Sequence, residues 1–307
     1  TTVITSTDNR EGLRIENARN IAVQDCVICN YLHASHNHNT SAVKTYDSAY
    51  LTIKNCEVYN CSTGIYYKRQ TNYITTSYNY LHNCKEAVLD NPGGASNHSM
   101  NDHTYHNNLI INCSEFGFNI YTQGDYNSTN YIFFNNTIYN SKRNICDRTS
   151  SSSASAINHR YYNNISHYAS VTQAGYVGDL QECNYNQYGT GNLHIYPDQT
   201  SGELTGGVVT SLSTWQTTRR VTLDSKYPDV NGYSSDPKFV NISGKMNKIA
   251  DFELSYNSPC RGSGKGGSNM GADIAHVGVG GGGIDATPPP SSDIKAPIPP
   301  TGIIISY

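Results

Sequence analysis

The sequence predicts an all-β fold, a parallel β-solenoid, and two observations carry that expectation. Between Asn20 and Leu180 the chain repeats itself at intervals of roughly 23 to 30 residues, around short apolar runs beside Asn-Cys or Asn-Asn. Alignment of the repeats puts Cys26, Cys56, Asn79, Asn108, Asn136 and Asn164 in one column, and the step between neighbours stays in that range throughout. Five positions further on, Tyr31, Cys61, Cys84, Cys113, Ser141 and Ala169 form a second column. The other observation is the length of the runs. Tyr50 to Ile53, Gly64 to Tyr67, Phe118 to Tyr121 and Tyr131 to Phe134 are too short for helices. A unit that cannot bury its own apolar face must stack on copies of itself.

The elements follow in order. Thr2 to Thr5 and Leu13 to Ile15 are candidate strands on either side of a turn at residues 8–12. Residues 1–179 supply the coils, about seven of them at roughly 4.8 Å each, a rod core of about 35 Å. Asn108, Asn136 and Asn164 are then a ladder at one corner, their amides bonding along the axis and accepting backbone donors that the corner leaves unpaired. Asn is also a common turn residue, and both roles are open at this level. Cys61, Cys84 and Cys113 recur at the solenoid period, so they are expected to be reduced, buried ladder residues. Insertions leave the coils at residues 33–40, 91–102 and 149–156, where binding residues on a rigid scaffold commonly sit.

Composition sets limits. At 307 residues with 15% charged residues and a formal net charge of -3, the chain shows no basic footprint for nucleic acid. Its 25 tyrosines suit sheet faces, protein contacts and sugar stacking alike. The chain opens on Thr1 and holds no apolar run of membrane-spanning length, so it is expected to be a processed, secreted product with no membrane span. Asn-x-Ser/Thr triplets at Asn39, Asn60, Asn97, Asn112, Asn127, Asn135, Asn164 and Asn241 leave glycosylation open. Cys26-Val27-Ile28-Cys29 has the CxxC spacing, but an extended setting points its thiols to opposite faces.

Beyond residue 180 the period dissolves. Ser211 to Gln216, Ser235-Asp236-Pro237-Lys238-Phe239-Val240-Asn241, Asp251-Phe252-Glu253-Leu254, Asn257-Ser258-Pro259-Cys260 and Gly271-Ala272-Asp273-Ile274 follow in turn. With the preceding coils, these segments resemble secreted bacterial right-handed parallel β-helix proteins of the pectate-lyase-like superfamily, over roughly residues 1–275. The resemblance implies right-handed coils and makes residues 180–277 closing coils with a C-terminal module. Residues 278–307 read as a Gly/Pro-rich linker and a terminal strand, Ile303-Ile304-Ile305 with Ser306 and Tyr307. A strand without a partner in its own segment seeks an edge. It is expected to dock on another copy of the protein, or else to begin a further domain.

Candidate chemistry follows the second ladder. Lys68 and Arg69 lie seven and eight residues past Cys61, Asp90 six past Cys84, and Asp147 and Arg148 six and seven past Ser141. A cation such as Lys68 or Arg69 suits a lyase acting beside a uronate carboxylate. Asp90 and Asp147, two coils and so about 10 Å apart, suit a hydrolase. The motifs of polygalacturonases and alginate epimerases are absent, and the Lys and Arg pair of chondroitinase-like lyases does not align. The resemblance therefore implies the fold and no catalytic residue. Histidines cluster at His33, His36 and His38 and at His98, His103 and His106 without fixed geometry. No metal or other cofactor is expected, and calcium on Asp and Asn oxygens stays open.

Three functions follow, in this order: an extracellular structural subunit that assembles with copies of itself into a filament or surface layer through its terminal strand; a secreted polysaccharide lyase or glycoside hydrolase acting on an acidic polymer; and a glycan-binding adhesive module.

Overall fold

A computed structural model of the protein describes residues 2–5, 11–32, 40–93, 99–122, 126–149, 155–176, 179–189, 193–195, 208–218, 229–241, 246–281 and 304–305. The chain winds through three sheets in turn. The first, with eight strands, begins with Thr2–Thr5, Cys26–Cys29 and Glu57–Tyr59. The second holds Leu13–Glu16, Ser41–Tyr46, Thr63–Lys68, Glu86–Asn91, Phe116–Thr122 and Arg143–Thr149 among its nine strands. The third has ten, among them Arg19–Gln24, Ala49–Lys54, Asn72–Ser77, His103–His106 and Ser155–Tyr162. Pairing between successive coils is parallel and in register, as Val43 with Ile65, Ile65 with Val88 and Val88 with Phe118 show. Those side chains fill the axis of the rod.

The corners explain the asparagines. Asp25, Asn55, Asn107, Asn135 and Asn163 have positive φ, as do Asn30, Asn60, Asn83, Asn112 and Asn140 one side further on. Asn and Asp tolerate this left-handed conformation better than other side chains. The residue after the first of these columns points inward. Asn79 donates from Nδ2 to Asn108 Oδ1 at 3.0 Å, Asn108 to Asn136 at 3.0 Å, Asn136 to Asn164 at 3.0 Å and Asn164 to Asn186 at 3.0 Å. The ladder ends on Asp229, whose Oδ1 accepts Asn186 Nδ2 at 3.0 Å. A carboxylate only accepts, so it closes the series. Asn164 is buried in this ladder, so its glycosylation triplet is closed in the folded protein.

All nine cysteines are free and buried. Under non-reducing, denaturing conditions every thiol is therefore expected to alkylate. Mass spectrometry showing a disulfide among Cys61, Cys84 and Cys113 would contradict this packing.

Past residue 179 the winding continues. Asp179–Asn184, Gln187–Tyr188 and Leu193–Ile195 pair in parallel with the coil before them. The helix Leu212–Thr218 then sets Trp215 into the end of the core.

Residues 229–233 add one more corner to the stack, with Asp229 on Asn186 and Tyr233 bridged in parallel to Gln187. The described residues of 234–241 and 246–281 then run back along the outside of the first sheet, as far as Gly280 beside Asp25. The left-handed corner residues hold this strap. Asn163 Oδ1 accepts the Lys265 N–H at 2.7 Å, Asn135 Nδ2 donates to Asn269 O at 3.1 Å, Asn107 Oδ1 accepts the Asp273 N–H at 3.1 Å and Asn55 Nδ2 donates to His276 O at 2.8 Å. Phe239, Met246, Phe252, Met270 and Val277 bury the outward Tyr80, Leu109, Ile111 and Ile165. Gly271 is required where it lies, at φ 83, since a Cβ there would stand 2.6 Å from Ile165 Cδ1.

The terminal strand also departs from expectation. Ile304–Ile305 pairs in parallel with Ala22 and Val23 of the same chain, at the open edge of the third sheet. The physical reason is the strap, which brings Gly280 to Asp25 at the N-terminal end of the rod. A tethered strand meets that nearby edge at high effective concentration. Ile303 and Tyr307 lie outside the described residues.

Candidate functional site on the second sheet

Parity along the second sheet sorts the expected residues. Successive side chains alternate between faces. Asp90 and Asp147 point inward and are fully buried, while Lys68 and Arg148 point outward. Asp90 Oδ2 lies 2.6 Å from His103 Nδ1 and accepts the Tyr105 hydroxyl, and Asp90 Oδ1 accepts the Tyr131 hydroxyl at 3.0 Å. Asp147 repeats the arrangement with His159 Nδ1 at 2.7 Å and Tyr161 at 2.7 Å. In each case the other ring nitrogen faces a backbone carbonyl, Thr71 O at 2.7 Å or Ser128 O at 3.1 Å, so it must donate. Burial, and next the Asp90 charge, hold the Tyr105 and Tyr131 hydroxyls well above the usual tyrosine range.

These are internal struts, and the hydrolase pair is ruled out by position. Two carboxylates sealed inside the rod cannot flank a glycosidic bond.

The outer face is different. Tyr46 pairs with Lys68 and Lys68 with Asn91; one step on, where Asp90 pairs with Ile120, the column continues through Tyr121, which pairs with Arg148. Cations and aromatic rings thus share one outward line over five coils, roughly 19 Å. At its N-terminal end four cations surround the Tyr46 ring: Arg14 at 4.7 Å, Lys44 and Arg69 each at 5.1 Å, and Lys68 at 5.8 Å. Lys44 and Lys68 also lie over Tyr66, at 5.0 and 5.5 Å.

Counter-charges are unevenly shared. Arg14 pairs with Glu16 at 2.8 Å, Lys44 with Glu11 at 3.2 Å and Arg69 with Asp47 at 3.2 Å. Among the described residues no carboxylate pairs with Lys68. Partial burial, followed by the charges of Lys44 and Arg69, lowers its pKa below the ordinary 10.5. Burial lowers Lys44 too. A half-buried ammonium crowded by other cations is poised to gain from an incoming anion. Further along, Arg148 donates to Asn119 Oδ1 at 3.2 Å and lies 3.9 Å from the Tyr121 ring centre.

The structure thus gathers Lys68 and Arg69 at one end of the line and leaves Arg148 at the other. Sequence reasoning missed Arg14, Lys44, Tyr46, Tyr66 and Tyr121, although the aromatic and basic residues at matching steps of the repeat were a usable signal. His33, His36, His38 and His98 lie outside the described residues. Among the described residues no group of three or more His, Cys, Asp or Glu is placed to hold a metal ion.

Stacked, in-register parallel strands of this kind define a parallel β-helix, and residues 1–130 match the family model of the right handed beta helix region. No curated protein matches the chain. Among the described residues no helix is long and apolar enough to cross a membrane.

Proposed function

We propose that the protein is an extracellular β-helix that binds an acidic polysaccharide along the outward line from Tyr46 to Arg148. One observation carries this: Lys68 lacks a carboxylate partner among the described residues, inside a cluster of four cations around a tyrosine ring. A uronate carboxylate or a sugar sulfate supplies the missing charge, and the partly exposed Tyr121 ring further along the line supplies surface for the sugar, Tyr46 and Tyr66 being themselves buried. Self-assembly, the first expectation from sequence, depended on an edge provided by another copy. Ile304–Ile305 pairs with Ala22 and Val23 of the same chain, so glycan binding is the reading preferred.

The test is calorimetric titration with polygalacturonate at low and high salt. Lys68→Ala is expected to weaken binding roughly ten- to hundredfold at low salt. Affinity should also fall with rising pH, starting below 10.5, as the free Lys68 ammonium loses its proton. The sign follows from linkage: an anion stabilises the protonated lysine, so binding at alkaline pH takes up protons. Equal affinity of wild type and Lys68→Ala would overturn the proposal.

A further inference from the structure

Around the corner from Lys68 lies a pair of aromatic residues in an unusual backbone state. Tyr50 and Tyr73 both have positive φ, 57 and 56. Their rings stack face to face with centres 4.7 Å apart and planes 4° from parallel. Other coils put short polar residues at this place, with Asn20, Asp102, Asn130 and Asn158 at φ 57, 61, 60 and 58. This conformation is strained for a bulky aromatic residue and recurs at Tyr78, Tyr168 and Tyr185 at other corners, so the exposed stack sets this pair apart. Tyr73 keeps 41% of its surface exposed. Beyond it stands Asp102, which extends no aromatic stack and instead accepts Asn130 Nδ2 at 3.0 Å. One face of the Tyr73 ring is thus left without an aromatic neighbour in its column.

We propose that Tyr50 and Tyr73 form a subsite that stacks on a pyranose ring of the bound polysaccharide, supplying a part of the affinity that does not depend on charge. The subsite presupposes the glycan-binding role of the second sheet. Tyr73 lies five steps along the chain from Lys68, at most about 17 Å and less around a corner. A few sugar units therefore reach both, with a carboxylate on Lys68 and a neutral ring face on Tyr73. The apolar C–H face of a pyranose matches a tyrosine ring, while Asp102 and Asn72, whose Oδ1 accepts the Asn101 N–H at 2.7 Å, border the ring with polar groups.

The column itself supplies a substitution that keeps the fold. Asn occupies the same left-handed position in three other coils, so Tyr73→Asn should leave the thermal midpoint unchanged or raised. In 1 M NaCl, where screening acts beyond about 3 Å, its affinity for polygalacturonate should fall roughly three- to tenfold. Lys68→Ala should show the opposite pattern, losing affinity at low salt and little of what remains at high salt. If Tyr73→Asn binds like wild type at both salt concentrations while Lys68→Ala is impaired, the stacking subsite is refuted and the cationic site stands. A lowered midpoint with unchanged affinity shows the stack to be structural only. Absence of binding by the wild-type protein overturns both the subsite and the proposed function.

Discussion

Asn136→Ala is expected to lower the stability of the folded protein by roughly 3–6 kcal/mol, a large part of what a domain usually has. Asn136 sits in the middle of the ladder with every polar valence in use. Its Nδ2 donates to Tyr105 O at 2.9 Å and Asn164 Oδ1 at 3.0 Å, and its Oδ1 accepts the Asn108 N–H at 3.1 Å and Asn108 Nδ2 at 3.0 Å. Truncation leaves the backbone N–H of Asn108 and the carbonyl of Tyr105 in a dry interior. Each stranded group costs about 1–3 kcal/mol, and a small cavity adds to that. Urea unfolding should show a lower midpoint at an unchanged slope. Asn140→Ala is the control. Asn140 also has positive φ but is exposed, so its loss should cost only about 1 kcal/mol.

Asp90→Ala should be nearly as damaging, at roughly 3–5 kcal/mol, and for a different reason. Removal of the carboxylate strands His103 together with the hydroxyls of Tyr105 and Tyr131, all fully buried. Asp147→Ala should cost less. Among the described residues Asp147 Oδ1 has no hydrogen-bond partner, because Leu180 occupies the place in the next coil from which a tyrosine, as Tyr131 does for Asp90, would donate. An Asp90→Ala protein that unfolds like wild type would contradict the strut role.

The two aspartates show how far the sequence can be read. The even steps of the repeat located the ladder at Asn108, Asn136 and Asn164 because a period survives without knowledge of the backbone. Facing is a finer matter, since one residue's slip reverses it. Lys68 and Arg148 stand seven residues past the second column and face outward; Asp90 and Asp147 stand six past it and face inward. That parity was in the sequence. Its meaning was not, because it depends on how many residues each left-handed corner consumes. The partners His103 and Tyr105 are likewise brought to Asp90 by register between the sheets. The strap was illegible for a further reason: Asn107 and Asn135 act through left-handed backbone and bonds to segments more than a hundred residues away. The repeat carries no trace of such contacts.

The outer line of the second sheet is tested most directly by a crystal structure of the protein with an oligogalacturonate bound. The expected result is a uronate carboxylate about 2.8 Å from Lys68 Nζ, with the sugar chain running along the line towards Tyr121. An oligosaccharide seated on another face, with no contact to Lys68, would contradict the proposed function.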